Sequence, residues 1–215
     1  MNIKFLNVAL GVALAATSMS ASAQKSYTSG TITMSGEARG QAVEMKDYFT
    51  PDSTAMAFSA GPANIKVLRT NKFTYLAVIL DVPVASMKKA AIANPDEIDQ
   101  MAAQIPKFTY APGTETKTIS GFNCKKVVAT DTKTNKTYDV WITNDVTLPA
   151  GVGAEYYQGI GGIPIQYTAF QQGQESSVTV TSITDAKAPA GTFAISADFD
   201  KITMDDLKAM SGGGN

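Results

Sequence analysis

Beyond residue 25 the chain is a succession of short runs in which apolar and polar residues alternate, each closed by Gly, Pro, Asn or Asp. That pattern commits it to antiparallel β-structure. Ile32 and Met34 alternate with Thr31, Thr33 and Ser35, so one face is apolar and the other polar. Gly36 to Gly40 reads as a turn, Ala42 to Phe49 as a second strand, and Pro51-Asp52-Ser53 as the next turn. Ala55 to Ser59, Ile65 to Arg69 and Phe73 to Val82 complete a meander in the first half.

Tyr75 to Leu80 breaks the alternation, and an unbroken apolar run calls for cover on both faces of the sheet. A candidate for that cover follows it. Asn94-Pro95-Asp96-Glu97 has the N-cap, first-position proline and acidic first turn of a helix. Ile98, Met101, Ala102 and Ile105 then recur at helical spacing until Pro106. Val84 to Ala93 is read as a further short helix, so a helical insertion spanning about 84–105 is expected to lie across the sheet.

From Lys107 the strand pattern resumes. The expected strands are Lys107 to Tyr110, Thr116 to Ser120, Phe122 to Thr130, Thr137 to Thr143, Ala154 to Tyr157, Ile163 to Phe170 and Ser176 to Ile183. Asp131 to Lys136 is a polar hairpin loop, and Thr203-Met204-Asp205-Asp206 opens a short C-terminal helix to Met210. The fold expected is mainly β with a helical insertion (α+β): a curved antiparallel sheet or incomplete barrel covered by helices. A β-sandwich is the alternative.

Three parts divide the chain. Residues 1–23 have the order of a secretory leader: a basic start at Lys4, an apolar run from Phe5 to Ala16, and the small residues Ala21-Ser22-Ala23 before the expected cut after Ala23. The apolar run falls short of the roughly 20 residues that cross a bilayer, and no cysteine near the cut could carry a lipid. Residues 24–210 form one β-rich domain, and 211–215 a flexible Gly-rich tail. The location expected is the periplasm.

Composition removes many chemistries. The chain has no histidine, which excludes Ser-His-Asp and Cys-His catalysis and the commonest zinc ligand. Cys124 is the single cysteine, so no intramolecular disulfide forms. Its sequence neighbours Lys125 and Lys126 raise the question of an activated thiol, against the simpler reading of a buried small side chain. Lys4 is the leader's only charged residue, so its removal takes the formal charge of −1 one unit lower. With the lysines scattered, a nucleic-acid partner is not expected. The acidic residues at 96, 97, 99, 205 and 206 are accounted for by helix starts. Gly159-Ile160-Gly161-Gly162 lacks the Lys-Ser/Thr and the helix of a phosphate loop. No catalytic residue, metal or cofactor is expected.

Ile119-Ser120-Gly121-Phe122-Asn123-Cys124-Lys125-Lys126, Tyr138 to Thr143, Gly161 to Ile165, and Phe193-Ala194-Ile195 followed by Ile202 to Asp205 resemble uncharacterised exported domains of Gram-negative envelopes. Among these is the group known by its Gly-Leu-Pro-Gly-Leu-Ile (GLPGLI) signature. The resemblance covers Thr116 to Met210. It implies an architecture similar to the lipoprotein carrier LolA, in which a half-open barrel with a helical lid holds acyl chains.

The function expected is therefore a non-enzymatic periplasmic binding protein sheltering a lipid or lipoprotein acyl chain. The alternative is an envelope structural or protein-interaction domain with a filled core, with an enzyme third. The expected ligand-facing residues are Leu76, Val78, Leu80, Ile98, Met101 and Ile105, with Trp141 as a ligand wall. A one-residue shift of facing would substitute Tyr75, Ala77 and Ile79 for the first three.

Overall fold

The computed structural model describes residues 24–38, 41–153, 156–171 and 174–212; the expected leader, residues 1–23, and residues 213–215 of the expected tail lie outside them. The first six strands are β1 (Lys25–Ser26), β2 (Gly30–Ala38), β3 (Gln41–Phe49), β4 (Ser53–Ala60), β5 (Ala63–Thr70) and β6 (Leu76–Val82). A single 3-10 turn, Pro83–Ala85, leads into β7 (Met87–Ile92), and α1 (Pro95–Gln104) follows. Then come β8 (Phe108–Ile119), β9 (Phe122–Asp131), β10 (Thr137–Thr143), β11 (Val146–Thr147), β12 (Ile163–Gln171) and β13 (Gln174–Thr184). The chain closes with β14 (Asp200–Ile202) and α2 (Met204–Gly212).

Twelve strands form one sheet, in the order β14-β7-β6-β5-β4-β3-β2-β13-β12-β10-β9-β8. Every pairing in it is antiparallel except β14 on β7. The first-half meander and the second-half strands join where β13 pairs with β2. β1 and β11 make a separate two-residue parallel pair.

An open sheet of this width curls rather than staying flat, and here it curls about the segment between β11 and β12. Gly151 O accepts a hydrogen bond from Arg69 Nη1 of β5 at 3.3 Å, while Tyr157 donates its hydroxyl to Thr168 O of β12 at 2.7 Å. Gly151 has φ +83°, and a Cβ there would collide with the Asn71 carbonyl, so this crossing requires glycine. Tyr157 and Ile160 pack with Val127, Ala129, Tyr138, Val140 and Ile142, and the rings of Phe108 and Tyr157 stack at 5.1 Å between centroids.

The helix-covered, LolA-like α+β architecture is not what forms. The expected 84–105 insertion shrinks to one 3-10 turn and the ten-residue α1, separated by a strand. Met87 to Ile92 is a strand because Ala90 and Ala91 are small enough for both its faces to be covered: Ala90 opposes Ile79 and Ala91 opposes Val78. α1 and α2 sit at one end of the sheet, against Leu76, Ala91 and Ala93. Among the described residues no helix is long and apolar enough to cross a membrane.

Both sides of β6 are covered, as its unbroken apolar sequence requires, but by different means. Leu76 clusters with Ile98, Met101, Met204 and Leu207 of the two helices. Ala77 and Ile79, pointing the other way, cluster with Ile195 and Phe199 from the strap that links β13 to β14. Lys66 Nζ holds the strap by donating to Gly191 O and Ala194 O at 3.4 and 3.2 Å.

Candidate ligand-binding face

Strand register assembles the most distinctive surface. Met45 lies opposite Phe58, Phe58 opposite Ile65, and Ile65 opposite Leu80, so one apolar row crosses β3, β4, β5 and β6 on a single face. A second row, Met56, Val67 and Val78, runs beside it. The third, Phe49, Thr54, Arg69 and Leu76, lies toward the helices.

Burial changes along these rows. Phe49, Thr54 and Leu76 are sealed, whereas Met56, Val67, Val78, Met45, Phe58, Ile65 and Leu80 are only half-buried. Val82 and Met87 extend the half-buried end, and Val84 beyond them is 82 % exposed. The helices close one end of the face and the main core, against which Met45 and Met56 pack, closes it toward β2; it opens at Phe58, Ile65 and Leu80.

Of the expected site residues, Leu76, Val78 and Leu80 share this face, as strand alternation requires. Ile98 and Met101 meet Leu76 and Val78 at the closed end, and Ile105 caps α1, half-buried. Tyr75 precedes β6 and is exposed, while Ala77 and Ile79 are buried under the strap. Trp141 is not brought to this face: it lies on β10, opposite Gln166 and Lys126, with Lys117 Nζ 4.0 Å above its ring.

Met45, Phe58 and Ile65 were not singled out from the sequence. Each alternates with polar or small neighbours in its own strand, so the signal was present. Joining them into a row needs the registers of two hairpins.

Two surface clefts of about 410 Å³ each are lined by polar and apolar groups in about equal measure. One, between β8, β9 and the end of β10, is bordered by Lys117, Asn123, Lys125, Asn144 and Asp145. The other lies on the strap side, among Lys46, Asn64, Lys66, Asp81 and Phe199. Asp81 Oδ1 there is buried without a hydrogen-bond partner, a position that favours a donor over an acyl chain.

Cys124 is 3 % exposed and clusters with Ile119, Phe122 and Ile163. Burial pushes its thiol above the ordinary value. Lys126 shares its face but is engaged by Glu115 at 2.9 Å and Asp139 at 2.7 Å, which raise its own pKa. Burial likewise raises Tyr157 and lowers Lys66. Lys136 and Tyr138 both hydrogen-bond Glu175 and hold it below the usual carboxylate range. Among the described residues no group of three His, Cys, Asp or Glu is placed to hold a metal ion.

No family model matches the chain, and no curated protein does. Two solved structures of PNGF-II are similar to it. In the C2 space group the TM-score is 0.49, with 18 % identity over 85 % of this chain and 32 % of that one. In the P21 space group the corresponding values are 0.48, 16 %, 85 % and 33 %. The chain thus spans about a third of the length of those proteins.

Proposed function

We propose that the exported protein is a non-enzymatic periplasmic binding protein that holds an apolar ligand of acyl-chain type against the half-buried row Met45, Phe58, Ile65 and Leu80. The observation that carries this reading is the register of that row. It aligns four large apolar side chains across four strands, with Met45 seated on the main core and Phe58, Ile65 and Leu80 at the end of the face that the helices leave open. Contiguous apolar surface on a water-exposed protein marks a place of contact, and an extended chain fits a row better than an enclosed pocket.

The test is lipid extraction and mass spectrometry of protein purified from its own periplasm, together with titration of a fluorescent fatty-acid probe. Bound acyl lipid and saturable probe binding are expected. Leu80→Asp or Phe58→Asp should weaken binding at least tenfold with the β-sheet spectrum retained, whereas Trp141→Ala should leave it unchanged. No co-purified lipid and no probe binding would overturn the reading. That result leaves the second one, a protein-interaction domain with a filled core, which the mixed polar and apolar lining of both surface clefts favours.

A further inference from the structure

We infer that the chain rests on a lipid surface through two hairpin tips at the open end of the apolar face, inserting them between the headgroups. The β4–β5 hairpin turns through Gly61-Pro62 and is closed by the pair Ala60 and Ala63. The β6–β7 hairpin turns through Pro83-Val84-Ala85-Ser86 and is closed by the pair Val82 and Met87. β5 pairs with β6, and Asn64 lies opposite Asp81, so Ala63 and Val82, one step beyond, bring the two tips side by side at one end of the sheet.

Neither tip has a charged residue. Gly61, Pro62, Pro83, Val84, Ala85 and Ser86 are all exposed, and Val84, at 82 %, is the most exposed large apolar side chain among the described residues. A lone exposed valine is ordinary. This one continues a surface. Ala63 and Val82 stand on the same face as Ile65 and Leu80, two residues along each strand, so apolar cover runs from the row out to the tips. On the opposite face the matching row is polar: Ser59, Asn64, Asp81 and Lys88.

The backbone of the tips suits entry into lipid. Hydrocarbon offers no partner to an N–H or C=O group. Pro62 and Pro83 have no N–H to leave unpaired, and the Ser86 N–H donates to Pro83 O at 3.0 Å.

Charge and area decide what the tips meet. Behind them, Lys46, Lys88 and Lys89 are paired with Glu44, Asp198 and Asp200, and Lys66 shares a cleft with Asp81. This end of the sheet therefore has no surplus charge to offer an acidic or basic partner. The tips expose on the order of a few hundred Å², short of the roughly 800 Å² that each partner buries in a stable protein complex. Ser86 is their only hydrogen-bonding side chain, so they carry little for directed recognition. A lipid interface asks for neither shape nor direction, only for apolar surface. The contact also sets the open end of the row beside a source of acyl chains, but it rests on the tips and not on that reading.

Flotation of the chain starting at Gln24 with phosphatidylcholine vesicles, with and without phosphatidylglycerol, tests this. The tips have less apolar surface than one myristoyl chain, so binding should be weak and reversible, half-complete at about 1 mM lipid. It should be equal on both kinds of vesicle and unchanged between about 50 mM and about 500 mM salt. Val84→Asp should weaken it at least tenfold, and Val84→Trp, which places an interfacial side chain at the tip, should tighten it at least fivefold, with circular dichroism confirming the fold of each. Val84→Asp should leave titration of the fatty-acid probe unchanged. No flotation at about 10 mM lipid, binding that Val84→Asp leaves intact, or binding confined to anionic vesicles at low salt would overturn the inference. So would self-association of the wild type that Val84→Asp abolishes, since a second copy would then occupy the tips. A protein that fails to float yet binds the probe loses this contact and keeps its apolar ligand.

Discussion

Cys124 takes its character from its strand position, not from the lysines beside it in sequence. Lys125 points to the opposite face, and Lys126 is occupied by two carboxylates. The Sγ donates to Phe122 O at 3.5 Å, and burial raises the pKa. The thiolate is the reactive form, so at mild alkaline pH the folded protein should react with an alkylating reagent at least a hundredfold more slowly than in guanidinium. Thiol-titration kinetics in the two solvents measure this, and equal rates would return the redox reading to consideration. Neighbouring Thr143 shows how a polar side chain is accommodated in the same layer: 1 % exposed, it donates to Asn123 O and accepts from Asp145 N.

Among the elements, those with local signals were legible in the sequence. α1 begins at Pro95 because Asn94 and Glu97 form the reciprocal capping box that their spacing announces, and β10 has the expected bounds because turn residues enclose a clean alternation. β7 was not legible: its small, doubly covered alanines leave no periodicity. Lys107 to Tyr110 and Thr116 to Ser120 are one strand with a bulge, which Pro112 and Gly113 disguise as a break. No strand forms at Tyr156 and Tyr157, whose segment is held by tertiary contacts instead. The strap between β13 and β14 has no periodicity, and its place is fixed by side chains far away in sequence. Lys88 Nζ meets Asp198 Oδ2 at 2.6 Å, and Lys89 Nζ meets Asp200 Oδ2 at 2.8 Å. The Lys88 hydrogen bond, with help from Ser196, lowers the Asp198 pKa from 3.8 to about 2. With the folded value below the unfolded one, the stabilising contribution is complete above about pH 4 and is lost as pH falls through about 2. Carboxyl NMR titration should place the Asp198 midpoint near 2, and Lys88→Met should move it upward toward 3.8. A wild-type midpoint at 3.8 would mean that this pair does not hold the strap.

For the whole molecule, the C-terminal segment works as a clamp on the sheet. Adjacent residues in a strand face opposite ways, and Ala90 packs with Ile195 and Phe199 while Ala91 packs with Met204. The segment therefore crosses one face as the strap, pairs along the β7 edge as β14, and ends on the other face as α2. Four large apolar side chains, Ile195, Phe199, Met204 and Leu207, are placed by it. Met204 is buried and the other three are half-buried; at roughly 2 kcal/mol for the first and about 1 kcal/mol for each of the others, they contribute about 5 kcal/mol, a large share of the stability of a typical domain. Ending a chain that starts at Gln24 at Thr184 should therefore abolish cooperative thermal unfolding and raise the fluorescence of an apolar dye, since Leu68, Ala77 and Ile79 lose cover on one face and Leu76 and Ala91 on the other. Ending it at Thr203 removes α2 alone, so the melt should remain cooperative at a lower midpoint. If the chain ending at Thr184 melted like the intact one, the sheet would be stable without its clamp. The curl about the segment between β11 and β12 would then be the feature that holds the two halves of the molecule together.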